Sequence, residues 1–163
     1  SKEALVKAVL ARRIVPLNKE RLTLLDQFEA KAGEAPVPIE EIMYALVSPA
    51  IHLQRTAGGS KFMRLVGRIV SEAGYMDLLF KEFFGVLYVR ITALCFKALP
   101  HLSEKDRLWR THLAIGAMLH VLREHEWICS VSDGLCDTSD VEDSIRHIVH
   151  FLVAGMEAPA LEK

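Results

Sequence analysis

No segment of the sequence alternates apolar and polar residues with a two-residue period for long enough to make a strand. That absence excludes a sheet and leaves an all-α fold. Charge of one sign is also lacking. Twenty basic and twenty-one acidic side chains leave a net charge of −1, which excludes strong attraction to nucleic acid or to an anionic membrane surface. No apolar run reaches membrane-spanning length before an Arg, Lys, Glu or His interrupts it, and no signal-peptide pattern opens the chain. A soluble protein with no membrane partner is expected. Cysteine is scarce: Cys95, Cys129 and Cys136 are an odd number in a chain that is 51% hydrophobic and needs no covalent staples. That reads as a reduced, cytoplasmic setting, and it disfavours a Cys129–Cys136 disulfide. There is no Gly-x-Ser-x-Gly elbow, no cysteine in a motif of known mechanics and no glycine-rich phosphate loop after a strand. No catalytic residue and no cofactor is therefore assigned. Internal repeats and low-complexity tracts are absent too.

What is present is helical periodicity. At 163 residues the chain is expected to be one domain, 1–163, of about six helices. Ser1 is a good N-cap for a first helix, which Pro16 should kink or briefly break before it ends at Gly33. Residues 1–32 thus read as a kinked helix. Pro38 suits the first turn of the next helix, with Glu40 and Glu41 at its positive end and a bend at Pro49. Ala57-Gly58-Gly59 is a loop, and Ser60 caps a helix closed by Gly74. Met76 to Leu99 is a long helix with an aromatic-rich face, stopped by Pro100. Ser103 with Asp106 caps the following helix. Glu124 to Thr138 reads as a loop, and the last helix runs from about Ser139 to Met156.

Leu108 to Arg123 is the stretch the chain is expected to be built around. Leu108, Ile115, Leu119 and Leu122 share one face, Trp109, Leu113 and Gly116 a second, and Ala114, Ala117, Met118 and Val121 most of the back. A helix apolar nearly all round must be covered nearly all round, and one face is left for a second molecule. The last helix carries a broad apolar stripe of Val141, Ile145, Ile148, Leu152 and Met156. These two helices together hold more apolar surface than one copy can hide.

Metal chemistry was tested by spacing. The Glu-x-x-His pairs of a di-iron bundle do not occur. His147-x-x-His150 and His120-x-x-x-Glu124 are spacings that recur by chance; His147 and His150 read better as a solvated stripe, and His112 and His120 as polar groups at an interface or pocket. No metal ligand is assigned. Arg12, Arg13, Lys19 and Arg21 are the densest basic stretch, but Glu3, Glu20 and Asp26 dilute it, so it reads as a solvated helix face and not as a DNA surface. A pocket is the remaining candidate. Met43, Phe62, Met63, Phe83, Phe84, Leu87, Tyr88, Trp109 and Leu113 supply an apolar wall, and Arg90, His112 and Tyr88 supply a few polar groups. The same residue set also makes plain core.

Several phrases resemble tetracycline-repressor-type (TetR) transcription regulators. Ser1-Lys2-Glu3-Ala4-Leu5 looks like the segment after the DNA-recognition helix. Further matches are Arg13-Ile14-Val15-Pro16-Leu17-Asn18, Phe62-Met63-Arg64-Leu65, Trp109-Arg110 with His112 and Gly116, and Phe151-Leu152-Val153-Ala154-Gly155-Met156. The last three are also similar to the fatty-acid-responsive branch. The resemblance implies a bacterial homodimeric regulator, usually a repressor, whose helical body binds an inducer and pairs through its last two long helices as a four-helix bundle with the partner's. For this chain that places the dimer interface at Ile115, Leu119, Leu122, Val141, Ile145, Ile148, Leu152 and Met156. It implies a fatty acid or acyl compound as one candidate inducer. It places the operator-reading head before Ser1, so that operator DNA is bound only through that head, and residues 1–32 become the connecting helix. Two other classes stay open: a helical metal-binding or enzymatic bundle, and a dimerisation module with no ligand.

Overall fold

The computed structural model describes residues 2–71 and 75–161. The expected Ser1 cap and the Gly74 helix stop lie outside those residues. Among the described residues the fold is all-α, in the order α1 (Lys2–Ala32), α2 (Ile39–Arg55), α3 (Gly59–Ser71), α4 (Tyr75–Leu79), a π-helical turn (Phe80–Phe84), α5 (Gly85–Ala98), α6 (Glu104–Val131) and α7 (Val141–Glu157). Because α4, the π turn and α5 run on without a gap, these are six helical rods.

The helix covered on nearly every side is α2, not the Leu108–Arg123 stretch. α2 packs against α1, α3, α5, α6 and, most extensively, α7. Ile42, Met43, Ala45, Leu46, Val47, Ala50 and Ile51 are all buried, so the apolar positions wrap the whole circumference. α6 instead buries one stripe, Thr111, Ala114, Met118, Leu122 and His125. Small side chains at 114, 116 and 117 made the composition look wrapped, while the bulky Trp109 and Leu113 point outward.

The brief break that was one expectation at Pro16 does not occur: α1 runs on through it, and α2 runs on through Pro49. A proline forfeits one backbone donor but need not stop a helix that tertiary packing holds in place. The irregularities of the body fall elsewhere, and α1 is tied to them. The π turn carries one residue more per hydrogen-bonded loop than an α-helix, and Asn18 Nδ2 donates to its Phe83 carbonyl at 2.7 Å. Arg21 donates from Nε to the Leu46 carbonyl of α2 at 2.9 Å and from Nη1 to Asn18 Oδ1 at 3.3 Å, with Nη2 3.6 Å from Met118 Sδ of α6. Arg21 is only 3% exposed, which corrects the expectation of a solvated basic face. Burial pushes its pKa down to about 10, with Glu20 opposing the fall, so it is still a cation at neutral pH.

The caps follow the sequence more closely. Ser103 accepts from the Asp106 backbone N–H at 3.1 Å and donates to its carboxylate at 2.6 Å. Asp140, one residue after the expected start, caps α7 by accepting from Asp143 N–H at 3.0 Å. Arg110 closes the far end of α7 by donating to the Met156, Ala158 and Pro159 carbonyls at 2.8, 2.5 and 2.8 Å.

The α2–α3 corner generates a test. A Cβ on Gly59 would stand 1.9 Å from the Leu53 carbonyl oxygen, whereas one on Gly116 would meet nothing within 4 Å. Gly59→Ala should therefore lose on the order of 2 kcal/mol or more in urea unfolding. Gly116→Ala should gain up to about 1 kcal/mol from helix propensity alone.

Candidate ligand cleft

The expected Glu124–Thr138 loop is helical up to Val131. Glu124 alone leaves helical geometry, at φ −116° and ψ 22°. α6 therefore bends there and continues as a short arm bearing Trp127, Ile128 and Val131. The Leu122 carbonyl sits two residues before that bend. Gln54, itself buried, donates from Nε2 to that carbonyl at 2.6 Å and to His125 Nδ1 at 2.8 Å. The donation makes Nδ1 an acceptor, so His125 is neutral. Burial is the main reason its pKa is lowered, and the positive charges of Arg55 and Arg64 add to it against Glu126 and Glu124.

Between the bent arm, α2 and α7 lies a cleft of about 630 Å³. Ile51, Gln54 and Arg55 of α2 form its floor. Ala117, Val121 and Ile128 of α6 make one wall, Ile148 and Phe151 of α7 the other, and Leu135 to Thr138 a lip. Most of the surface it exposes is apolar, and ionisable side chains, His120, Glu124, Asp137, Asp143 and His147 among them, stand around it, a mix that a small-molecule site can use. Arg55 spans floor and lip, donating from Nη2 to the Thr138 carbonyl, while its Nε is buried with no partner. A ligand oxygen reaching that depth would find a donor waiting.

The pocket expected from composition is not one chamber. Met43, Phe62, Met63 and Leu87 are buried in the solid core, and Phe83 and Phe84 are packed half-buried against it. Met63 touches only a small gap of about 40 Å³ with Val66, Gly67, Leu119, Leu122 and Arg123. Tyr88, Trp109 and His112 line an open groove on the outside, and Leu113 is 61% exposed. Arg90 is already engaged: Nε donates to Glu29 at 2.9 Å and Nη2 to Asp26 at 2.7 Å, tying α5 to α1. The Glu29 hydrogen bond, the chief cause, raises its pKa. Amino-acid type could not tell a core phenylalanine from a pocket one. The cleft residues that the reading missed left one usable signal: apolar helical spacing runs past Arg123 through Trp127, Ile128 and Val131, with no breaker before Gly134.

The expected interface residues are likewise redistributed. Leu122, Ile145, Ile148, Leu152 and Met156 are buried in the chain's own core, and Ile115, Leu119 and Val141 are half-buried. The five buried ones are spent within this chain, while Ile115, Leu119 and Val141 keep part of their surface open. The reason is α2, which takes the apolar stripe of α7 that was expected to face a partner. What α6 and α7 turn outward is a different set: Trp109, Leu113 and Gly116 on α6, and Phe151, Ala154 and Gly155 on α7.

The other chemistries find little purchase. His147 Nε2 stands 3.4 Å from Asp143 and His52 Nε2 3.1 Å from Glu142. Among the described residues no group of three or more His, Cys, Asp or Glu side chains could hold a metal. The three cysteines are free, and burial pushes the Cys95 thiol up to about 12, far from a working nucleophile. No helix of the described residues is long and apolar enough to cross a membrane.

Residues 44–155 match the family described as tetracyclin repressor-like, C-terminal domain, and the chain belongs to that family. The family is regulatory and not catalytic, and its domains are typically the ligand-binding and dimerising part of TetR regulators. No curated protein matches the sequence.

The Gln54–His125 pair predicts a pH response. Because the folded pKa of His125 lies below the ordinary 6.5, the unfolded chain takes the proton first. Its contribution is complete above that value and is lost as the pH falls below it. His125→Gln should flatten the stability–pH curve between about pH 6.5 and pH 5, as read from urea midpoints across that range. An unchanged slope would show that the imidazole is not held neutral.

Proposed function

We propose that this chain is the inducer-binding and dimerisation body of a bacterial TetR-type regulator. The reading is of a cytoplasmic repressor released from operator DNA when a small apolar or amphipathic ligand occupies the α2/α6/α7 cleft. One observation carries it: a cleft of about 630 Å³ with a mostly apolar surface, lined by Arg55 whose Nε is buried without a partner, inside a domain of this family. Operator DNA is contacted only by a head preceding α1 in the parent protein. A ligand that fits one setting of the body better than another shifts the population towards it. Asn18, Arg21 and Arg90 couple α1 to three other helices and would carry that shift to the head.

The homodimer on this reading uses the outward faces of α6 and α7. Trp109 is 57% and Phe151 68% exposed. Beside them Gly116 and Gly155 have nothing within 4 Å of where a Cβ would stand, so a partner helix can approach the backbone closely. The expected four-helix arrangement is kept, but its contact residues change.

A thermal-shift screen with medium-chain alcohols, fatty acids, acyl-coenzyme A esters and aromatic acids tests the cleft. A ligand at a hundredfold its Kd should add about 2.7 kcal/mol, and Ala117→Trp, which fills the cleft, should abolish the shift. If no compound raises the melting temperature, the reading becomes that of a dimerisation module without a ligand. For the interface, sedimentation should find a dimer at micromolar concentration and a folded monomer for Gly116→Arg. A wild-type monomer would overturn the assignment.

A further inference from the structure

A second hollow, of about 760 Å³, opens between α3 and the bend of α6. Arg64 and Arg68 of α3 and Arg123 of α6 line it together with Trp127. α3 contains no acidic residue, and among the described residues Arg64 and Arg68 make no ion pair with a carboxylate. Arg123 lies flat across α3 because residue 67 is glycine: a Cβ there would be 2.5 Å from Arg123 Cδ. The hollow also holds two carboxylates, one of them beside one of the three arginines. Glu124 stands 3.3 Å from Arg123 Nη2, and Glu126 3.8 Å from His125 Nε2. Three guanidinium groups against two carboxylates leave the hollow cationic, and like charges gathered in one groove attract an anion.

The hollow neighbours the apolar cleft: Trp127 and Glu124 line both, so a molecule with its apolar body on Val121 and Ile128 has only that ridge to cross to bring its other end to the arginines. We propose that the ligand is an amphiphile with a phosphate-type oxyanion head, the tail in the cleft and the head held by Arg64, Arg68 and Arg123. This rests on the cleft being the ligand site. Phosphate is favoured over carboxylate by donor count. A carboxylate's two oxygens are satisfied by one guanidinium fork, whereas a phosphate's three peripheral oxygens can engage several.

Calorimetric titration with octyl phosphate, 1-octanol and inorganic pyrophosphate tests the proposal on the chain as it stands. Octyl phosphate should bind roughly tenfold or more tighter than octanol, the gain of about one charge-assisted hydrogen bond. The double variant Arg64→Gln/Arg68→Gln should erase that gap and leave octanol binding unchanged. Gly67→Ala, which favours the helix and moves only the flexible Arg123, should narrow the gap without loss of fold. If octanol binds and octyl phosphate binds no tighter, or if the gap survives both variants, the oxyanion site is overturned while the cleft stands. Pyrophosphate binding as tight as octyl phosphate, and undisturbed by octanol, would mean a separate free-phosphate site and would overturn the joined ligand. If neither octyl compound binds, the cleft reading and this proposal fall together.

Discussion

A helix that bends strands the carbonyl of its last regular turn, and leaving such a group buried and unpaired costs about 1–3 kcal/mol. At the bend of α6, Gln54 of α2 donates to the Leu122 carbonyl at 2.6 Å, which supplies that carbonyl with a partner whatever the bend does to the helix's own bonds. The same amide nitrogen holds His125 in its neutral form, so a second polar side chain is buried without leaving a charge behind. The bond ties α2 to α6 beside the arm that carries Trp127 and Ile128, and the cleft lies between those elements.

The first helix, α1, obeys a related constraint. Arg21 is a buried cation whose nitrogens meet a carbonyl, an amide oxygen and a thioether, not a carboxylate. A buried charge with neutral partners is costly to hold and costly to disturb. Its three partners sit on α1, α2 and α6, so relative movement of these helices must rebuild the set or lose it. That makes α1 a stiff reporter of the body's internal setting. Arg13 strengthens the tie at the α2–α3 corner, reaching the Ala57 carbonyl at 3.1 Å and stacking 5.7 Å above the Phe62 ring.

Element type was legible in the sequence because helical spacing and caps are local. The all-α reading, the Ser103 cap, the acidic first turn of α2 and the span of α7 to within a residue or two needed no knowledge of neighbours. The wrong assignments were of faces. Ile145, Ile148, Leu152 and Met156 form a stripe whatever covers them, and the sequence does not say whether the cover is α2 or another copy. Met43 and Phe62 likewise look alike as core and as pocket. The loop assigned to Glu124–Thr138 failed for a further reason: its polar composition was weighed over the helical phase that Ile128 takes up from Val121, seven residues earlier, with Trp127 and Val131 beside it. The Gln54–His125 and Arg21–Leu46 contacts join positions 71 and 25 residues apart. Nothing local announces such pairs.

On the proposed reading, ligand binding and dimerisation share residues. Phe151 lines the cleft and is also part of the outward face of α7, next in line to Ala154 and Gly155. Its ring cannot lie against a ligand and against a partner helix in every rotamer. Filling the cleft must therefore change the free energy of pairing, and pairing must change the affinity of the cleft by the same factor. The sign follows from where the ring is needed. If the dimer draws Phe151 outward, it opens the cleft and ligand tightens the dimer. If the dimer presses the ring inward, ligand and partner compete. Either way the signal need not cross the core to reach the second copy, because the wall of the cleft is already part of the face the two copies would share.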